Sequence, residues 1–160
     1  MARVTLALLL CLMLGACAQR APLPEQLPSL ELPLQLHVAQ PEQDSLLVIQ
    51  QEDAALRFSL FDPMGVPLAR QKLQAQSWSN DGLLPPNAQA RELFAALLFA
   101  LTPAPQLPSR YGISATPQSR QGPNPQRPRW RVQYQDAANF ELHMKDGLHY
   151  RISPLPETAP

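Results

Sequence analysis

The chain has 160 residues, and its 13 basic and 13 acidic side chains give a formal net charge of zero. This length is enough for one domain with a modest hydrophobic core, and the balanced charge gives no reason to expect binding to nucleic acid. The 19 prolines fall mainly into clusters, which divide the chain into a few segments that can fold.

The N-terminus has the layout of a secretory signal. Arg3 supplies a positive charge, residues 4–13 form a weakly polar to apolar run, and small residues precede Cys17. The run is shorter than the roughly twenty apolar residues that a helix needs to cross a bilayer. We therefore predict a signal peptide over residues 1–16, which is removed together with Cys11.

The sequence Leu14-Gly15-Ala16-Cys17 resembles the lipobox of bacterial lipoproteins. The resemblance implies cleavage before Cys17, a diacylglyceryl thioether on its sulfur and acylation of the new N-terminus, which together form an effectively permanent membrane anchor. No aspartate follows the cysteine, which implies sorting to the periplasmic face of the outer membrane. The alternative is an ordinary secreted protein with a chance cysteine, or a short signal anchor.

Proline spacing divides the rest of the chain. Residues 17–33 carry a proline every few positions, which excludes a helix or a central strand and predicts a tether between membrane and domain. Residues 34–155 form the expected domain, and residues 156–160 form a tail. Within the domain, residues 116–128 combine prolines with Gln, Ser and Arg and are predicted to be a long loop.

The first part of the domain is predicted to hold three strands, a turn and a return strand. The strands are residues 34–39, 45–51 and 55–61, and Asp62-Pro63-Met64-Gly65 has the residue types of a type I turn before a return strand over 66–75. Residues 87–101 follow as the one predicted helix, which Asn87 can cap and Pro103 ends. From Leu93 to Leu101 this helix is apolar all round, so it is buried on both sides or bounds an apolar cavity.

Apolar and polar residues alternate strictly in the last part of the domain. The alternation predicts antiparallel strands at residues 129–135, 139–145 and 147–153, each with one dry and one solvated face. A two-residue turn at Asp146-Gly147 would mix the two faces. A three-residue turn with Gly147 left-handed instead pairs Met144 with Leu148, and we predict this register.

The sequence offers no catalytic constellation, and we expect neither enzymatic activity nor a cofactor. His143 and His149 alternate with bulky apolar residues, so both are expected in solvent; as a metal pair they lack a third ligand at short spacing, and no metal site is predicted. His37 is the remaining histidine. The arginines between residues 110 and 131 form a locally basic stretch, which either keeps a polar loop soluble or contacts an anionic head group.

The apolar faces of the strands carry more bulk than a thin sheet needs. One apolar helix over a twisted antiparallel sheet encloses either a packed core or a cavity, and the sequence does not separate the two. The residues expected on this inner surface are Phe58, Leu60, Phe94, Leu97, Leu98, Trp130, Val132, Tyr134, Phe140, Leu142, Met144, Leu148, Tyr150 and Ile152.

The order of these features resembles the outer-membrane lipoprotein receptor LolB, and more closely a family of uncharacterised bacterial lipoproteins related to LolB and LolA. The resemblance covers residues 34–155 and rests on the hairpin at 58–68, the apolar helix before Pro-Ala-Pro, the Trp-x-Val-x-Tyr strand and the final Asp-Gly hairpin. It implies an α+β fold: an incomplete, strongly curved antiparallel barrel covered by one or a few helices, whose apolar concavity accepts acyl chains. It also implies that Met64, at the tip of a turn, contacts the membrane.

The same resemblance implies a function. It points to a monomeric outer-membrane lipoprotein that transports or seats a lipid or a lipoprotein, with a LolA-like periplasmic carrier as a further partner. Members of the related family are encoded in fatty-acid or aryl-polyene type gene clusters, which implies a dedicated cargo. The chain is shorter than LolB and residues 116–128 have no counterpart there, so the cargo stays open. The alternative is an assembly or scaffold lipoprotein with a solid core that acts through protein contacts.

Overall fold

A computed structural model of the chain describes residues 21–124 and 126–155. Its strands are β1 (Leu34–Ala39), β2 (Asp44–Glu52), β3 (Ala55–Phe61), β4 (Pro67–Gln74), β5 (Ser77–Asn80), β6 (Ser119–Gly122), β7 (Trp130–Tyr134), β8 (Phe140–Met144) and β9 (His149–Pro154). Its helices are α1 (Ala88–Leu101) and α2 (Leu107–Tyr111), with a 3-10 turn at Ala104–Gln106 between them. The predicted signal peptide, Cys17 and the predicted tail lie outside the described residues.

These strands form one antiparallel sheet with the order β5-β4-β3-β2-β1-β9-β8-β7-β6. Strands β1 to β5 make one meander and β6 to β9 another, and the two meet where β1 pairs with β9. The sheet is open, and the segment with α1 and α2 connects edge strand β5 to edge strand β6. The antiparallel sheet with a covering helix is confirmed. The α+β class overstates the helical part, since the described residues are mostly β with two short helices.

The C-terminal hairpin has the predicted register. Leu142 lies opposite Tyr150, and the Met144 N–H donates to the Leu148 carbonyl across the turn (2.8 Å). Gly147 has a φ of 91°, a left-handed conformation that residues with a Cβ rarely adopt. A slip by one residue would move every apolar side chain of β9 to the solvated face, so the burial of one face selects this register.

The predicted type I turn connects β3 to β4. The Gly65 N–H donates to the Asp62 carbonyl (3.0 Å), and the Asp62 carboxylate accepts from the N–H groups of Met64 (2.9 Å) and Val66 (2.8 Å). The pairing of the two strands shifts by one residue after Leu60. Because of this bulge, apolar parity alone could not fix the register of the hairpin.

Helix α1 covers the sheet and begins where the sequence predicts. The Asn87 side chain accepts a hydrogen bond from the Ala90 N–H (2.9 Å). Every residue from Leu93 to Ala100 is buried, so the apolar run has core on all sides. At the C-terminal end, Arg120 from β6 donates to carbonyls that the helix itself leaves unsatisfied, including that of Ala100 (2.9 Å).

The prediction missed both edge strands and α2. Strand β6 lies inside residues 116–128, which are predicted to be loop, and its residues Ser-Arg-Gln-Gly show no apolar alternation. It is held by backbone pairing with β7 on one side only. An edge strand of this kind needs no apolar face, so its residues carry no strand signal of their own.

Residues 21–33, the described part of the predicted tether, lie against the domain. They form no helix or strand, in agreement with their prolines. The Glu25 N–H donates to the Arg110 carbonyl in α2 (3.1 Å). The leucines between the prolines give the segment an apolar side, and those that pack partly buried against the core are Leu23, Leu27, Leu30 and Leu32. Residues 21–33 therefore pack as an extension of the domain.

Candidate functional site

The residues predicted on the inner surface belong to, or pack against, one hydrophobic core. Most are inaccessible to solvent: Phe58, Phe94, Leu97, Trp130 and Leu142, for example, are each 0% exposed. Helix α1 fills the space over the sheet with its own side chains, so the concavity at these positions is a packed core and not a cavity. The predicted residues that do line a pocket are Leu60, Met144, Leu148 and Tyr150.

A pocket of about 1150 Å³ lies at the margin of this core. Its apolar wall combines the N-terminal segment, edge strand β5 and the β8–β9 hairpin, through Ala21, Leu23, Trp78, Met144 and Leu148. Its polar wall combines the first turns of α1 with the start of β7 and the β8–β9 turn, through Gln89, Arg91, Glu92, Arg129, Lys145 and Asp146. One pocket therefore offers an apolar surface and several cations.

Glu92 is the centre of the polar wall. Its Oε1 accepts hydrogen bonds from Trp130 Nε1 (2.8 Å) and Arg129 Nε (2.6 Å), and its Oε2 accepts from Arg129 Nη2 (2.8 Å). Donating hydrogen bonds to the Glu92 carboxylate raises the pKa of Arg129, which keeps the guanidinium charged. Trp130 is fully buried, so the carboxylate supplies the acceptor that its indole N–H requires.

Trp78 connects the pocket to the aromatic part of the core. Its ring centroid lies 5.3 Å from that of Phe58 and 6.1 Å from that of Phe94. Its Nε1 atom is buried and has no hydrogen-bond partner among the described residues. Leaving a buried donor without an acceptor costs about 1–3 kcal/mol, so a ligand oxygen that reached this N–H would bind favourably.

Tyr150 and Gln89 line both the large pocket and a second one of about 260 Å³. Burial raises the pKa of the Tyr150 phenol, although its hydrogen bond with Gln89 acts in the opposite direction. Leu60 and Leu93 line the second pocket, between the end of β3 and the first half of α1. The two pockets therefore share one wall, and a phenol that stays protonated at neutral pH is part of it.

Three large apolar side chains are strongly exposed at one end of the sheet. Met64 (87% exposed) and Val66 (55%) are in the β3–β4 turn, and Leu83 (105%) is in the loop after β5. That loop leaves β5 where the Asp81 N–H donates to the carbonyl of Arg70, near the start of β4. Antiparallel pairing places the β8–β9 turn, which borders the large pocket, at this same end of the sheet.

The three histidines lie on the outer face of the sheet and are partly exposed, and His37 lies 3.5 Å from Asp44. His143 is directly opposite His149, and their ring centroids are 4.6 Å apart. Glu141 Oε2 lies 3.7 Å from Nε2 of His143 and 3.6 Å from that of His149. Glu141 was not predicted as a third ligand, although strand alternation puts it on the same face as His143, which follows it by two residues.

The basic stretch between residues 110 and 131 is largely engaged within the protein. Arg120 binds carbonyls at the end of α1 and lies 5.0 Å from the Tyr134 ring centroid. Arg110 donates to the side chain of Gln26, and Arg129 to Glu92. Neither solubility nor head-group contact accounts for Arg120, which caps a helix and is half-buried.

The chain matches no model of a known protein family, and no curated protein is significantly similar to it. Among residues 21–124 and 126–155, no helix combines the length and the apolar character that crossing a membrane requires.

Proposed function

We propose that this chain is a lipoprotein anchored to the outer membrane through Cys17, and that it binds an acylated ligand in the large pocket. In this proposal the open sheet with its covering helix is a LolA/LolB-like incomplete barrel. The ligand is a lipid or the acylated end of a lipoprotein, which the protein transports or seats at the membrane. It acts as a monomer without catalysis, and a LolA-like periplasmic carrier is its partner.

The observation that carries this proposal is the two-sided lining of the large pocket. Leu23, Trp78 and Leu148 provide apolar surface, on which each buried methylene of an acyl chain gains about 0.8 kcal/mol. Arg91 and Lys145, in the lining of the same pocket, offer positive charge to ester or phosphate oxygens. A ligand with a hydrocarbon tail and an oxygen-rich head matches both walls, whereas a purely polar ligand matches only one.

The exposed apolar end of the sheet supports membrane delivery. Met64 and Leu83 project from turns at the end that carries the β8–β9 margin of the pocket. Two apolar side chains on neighbouring turns can enter the interface of a bilayer with little backbone cost. In this arrangement a chain anchored at Cys17 holds the pocket close to the lipid surface.

Native mass spectrometry with lipid extraction tests ligand binding on a soluble chain that begins at residue 18. We expect co-purifying acyl lipid in the wild-type chain, and a loss of about tenfold in occupancy when Leu148→Glu places a charge on the apolar wall. Leu83→Glu is the matched control, because Leu83 is fully exposed and lines neither pocket. Far-UV circular dichroism establishes that both variants fold.

Vesicle flotation tests membrane contact with the same proteins. In this test Met64→Glu and Leu83→Glu are expected to lower binding to phosphatidylethanolamine–phosphatidylglycerol vesicles. Leu148→Glu, which lowers lipid occupancy, is expected to leave vesicle binding unchanged. If the two exposed positions do not affect flotation, the membrane role of Met64 is wrong even when the pocket binds lipid.

The second candidate function is an assembly lipoprotein that acts through protein contacts. It is favoured by the solid core, since Phe58, Leu97 and Leu142 leave no room between sheet and helix. A folded chain that remains empty when offered phospholipids and acylated peptides would support this function and exclude the carrier.

A further inference from the structure

A cluster of two histidines and one glutamate lies on the outer face of β8 and β9. One ring nitrogen of His143, one ring nitrogen of His149 and one carboxylate oxygen of Glu141 all lie within 4.8 Å of one another. The two imidazole rings are stacked, with an interplanar angle of 22°. All three residues are half-buried, so they are held in place by the sheet but remain accessible.

The hairpin register creates this cluster. Glu141 and His143 are on the solvated face of β8, and the three-residue turn brings His149 directly opposite His143. A shift of one residue in either strand would separate the rings and send one of them into the core. The backbone therefore fixes the spacing of the three side chains before any ligand binds.

The hydrogen bonding of the cluster is incomplete. The Nε2 atom of His149 is buried and has no hydrogen-bond partner among the described residues. A neutral imidazole nitrogen carries a lone pair that needs a proton donor or a metal ion. When the proton of the neutral His149 ring is on Nδ1, its Nε2 carries the lone pair, and Glu141 Oε2 offers only further lone pairs; a cation between the two atoms satisfies both.

Two arginines flank the cluster and limit what it can bind. Arg131 on β7 lies opposite His143, and Arg151 on β9 lies opposite Glu141. Their charges give the surroundings no excess of negative charge for a hard cation such as Mg²⁺. Binding here therefore depends on coordination by nitrogen and not on the local field.

We propose that Glu141, His143 and His149 form a binding site for one divalent transition-metal ion of the Zn²⁺ type. Two imidazoles and one carboxylate are a set that zinc accepts in three positions of a tetrahedron, with water in the fourth. Ligand atoms in such a site lie about 3.3 Å apart, since zinc–ligand distances are about 2.0–2.1 Å. The two carboxylate–imidazole distances of 3.7 and 3.6 Å are already close to this value.

The proposed site is independent of the lipid pocket. It lies on the face of the sheet opposite α1, whereas the pocket is lined by α1 and the inner side of the β8–β9 hairpin. A bound ion would join the neighbouring strands β8 and β9, beside the β9–β1 pairing that unites the two meanders. Failure of either proposal leaves the other unaffected.

Isothermal titration calorimetry of the full chain tests the site. The protein is purified in mild detergent without a polyhistidine tag, stripped with EDTA and titrated with ZnCl₂ or MgCl₂. We expect one Zn²⁺ per chain and no measurable binding of Mg²⁺, because imidazole is a ligand for zinc and not for magnesium. His143→Asn and His149→Asn should each weaken Zn²⁺ binding by about tenfold or more, comparable to the loss that disturbing a metal site usually causes.

His37→Asn is the matched control, because His37 lies on the same face but pairs with Asp44. The proposal is overturned if Zn²⁺ binds the wild type and the His149→Asn variant equally, or if His37→Asn causes the same loss. The chain has only three histidines, so the ring signals of the wild-type protein in an NMR titration provide a second test. Zn²⁺ should shift two of them and leave the signal of His37 in place; any other pattern contradicts the site.

Discussion

At the scale of single residues, Glu92 joins the candidate pocket to the core. Replacing Glu92 by Ala removes the acceptor of the buried Trp130 N–H and the carboxylate that binds the Arg129 guanidinium. We expect a loss of about 2–4 kcal/mol in the free energy of unfolding, measured by urea denaturation. Glu42→Ala is the control: Glu42 is exposed in the β1–β2 turn, and its replacement should change stability by less than about 0.5 kcal/mol. Equal effects would contradict a structural role for Glu92.

A second feature at this scale is Asp81, whose carboxylate lies close to three cationic side chains. Its Oδ2 lies 2.9 Å from Arg57 Nε and 3.8 Å from Arg70 Nε, and its Oδ1 lies 3.5 Å from Lys72 Nζ. The side chain is only 14% exposed. Burial alone would raise the pKa of Asp81. The hydrogen bond and charge of Arg57, together with the charges of Lys72 and Arg70, outweigh burial and hold this pKa below its ordinary value.

The lowered pKa of Asp81 predicts a pH dependence of stability. A carboxyl whose folded-state pKa is depressed contributes fully above the unfolded pKa of about 3.9, and the contribution disappears as pH falls through the folded value. Asp81→Asn should therefore cost about 1–2 kcal/mol at pH 7, and the gap to wild type should shrink below pH 4 or so. Urea midpoints from pH 7 down to pH 3 measure this. A gap that stays constant over that range, as expected for the exposed control Glu31→Gln, would contradict the role of the charge.

At the scale of elements, strand β6 packs closely against helix α1 at Gly122. A Cβ added there would lie 2.5 Å from Phe99 Cζ, and Phe99 is enclosed by the rings of Tyr111 (5.1 Å between centroids) and Trp130 (5.5 Å). Gly122→Ala should thus destabilise the protein by about 1–3 kcal/mol. Combined with Phe99→Leu, its additional cost should fall by about 1 kcal/mol, because the smaller side chain removes the clash.

A double-mutant cycle from urea unfolding measures this coupling. Gln121→Ala serves as control, since Gln121 is an exposed residue of the same strand and should be neutral in both backgrounds. Strict additivity of Gly122→Ala and Phe99→Leu would show that α1 adjusts to a larger residue and is not closely packed on β6.

The elements with one apolar face are those that the sequence could predict. Strands β1, β3, β7, β8 and β9 lie within two residues of their predicted positions, because alternation reports directly which face meets the core. The Asn87 cap defined the start of α1 for a similar local reason. Strands β5 and β6 were not predicted, because backbone hydrogen bonds to one neighbouring strand do not require a particular pattern of side chains.

The candidate pocket could be predicted only in part. Alternation placed Met144, Leu148 and Tyr150 on the inner surface, and all three line it. Glu92 was recognised only as a helix residue, since its contact with Arg129 spans 37 positions and exists only once α1 lies on β7. The question of core or cavity also needed the structure, because apolar residues on facing surfaces look the same in sequence whether or not the space between them is filled.

At the scale of the whole molecule, the first and the last strand of the domain pair with each other at the centre of the sheet. Strand β1 pairs with β9, so the two meanders are held side by side by the first and last strands of the sheet. The segment with α1 and α2 then connects the two free edges. Residues 21–33 precede β1 directly, and this position lets them pack beside the helices that cover the sheet.

This arrangement predicts that residues 21–33 contribute to stability. A chain of residues 34–155 should lose about 2–4 kcal/mol in the free energy of unfolding relative to one of residues 21–155, because the burial of the leucines against the core outweighs the conformational entropy that is lost when the segment is ordered. The urea midpoints of the two chains measure the difference. Replacing Leu23 and Leu27 by Ser in the longer chain should reproduce a good part of the loss, whereas Glu31→Ser should not. Equal midpoints for the two chains would mean that the segment rests only loosely on the domain and is free to act as the tether that its prolines predict. A difference of the expected size would instead show that residues 21–33 are part of the folded domain.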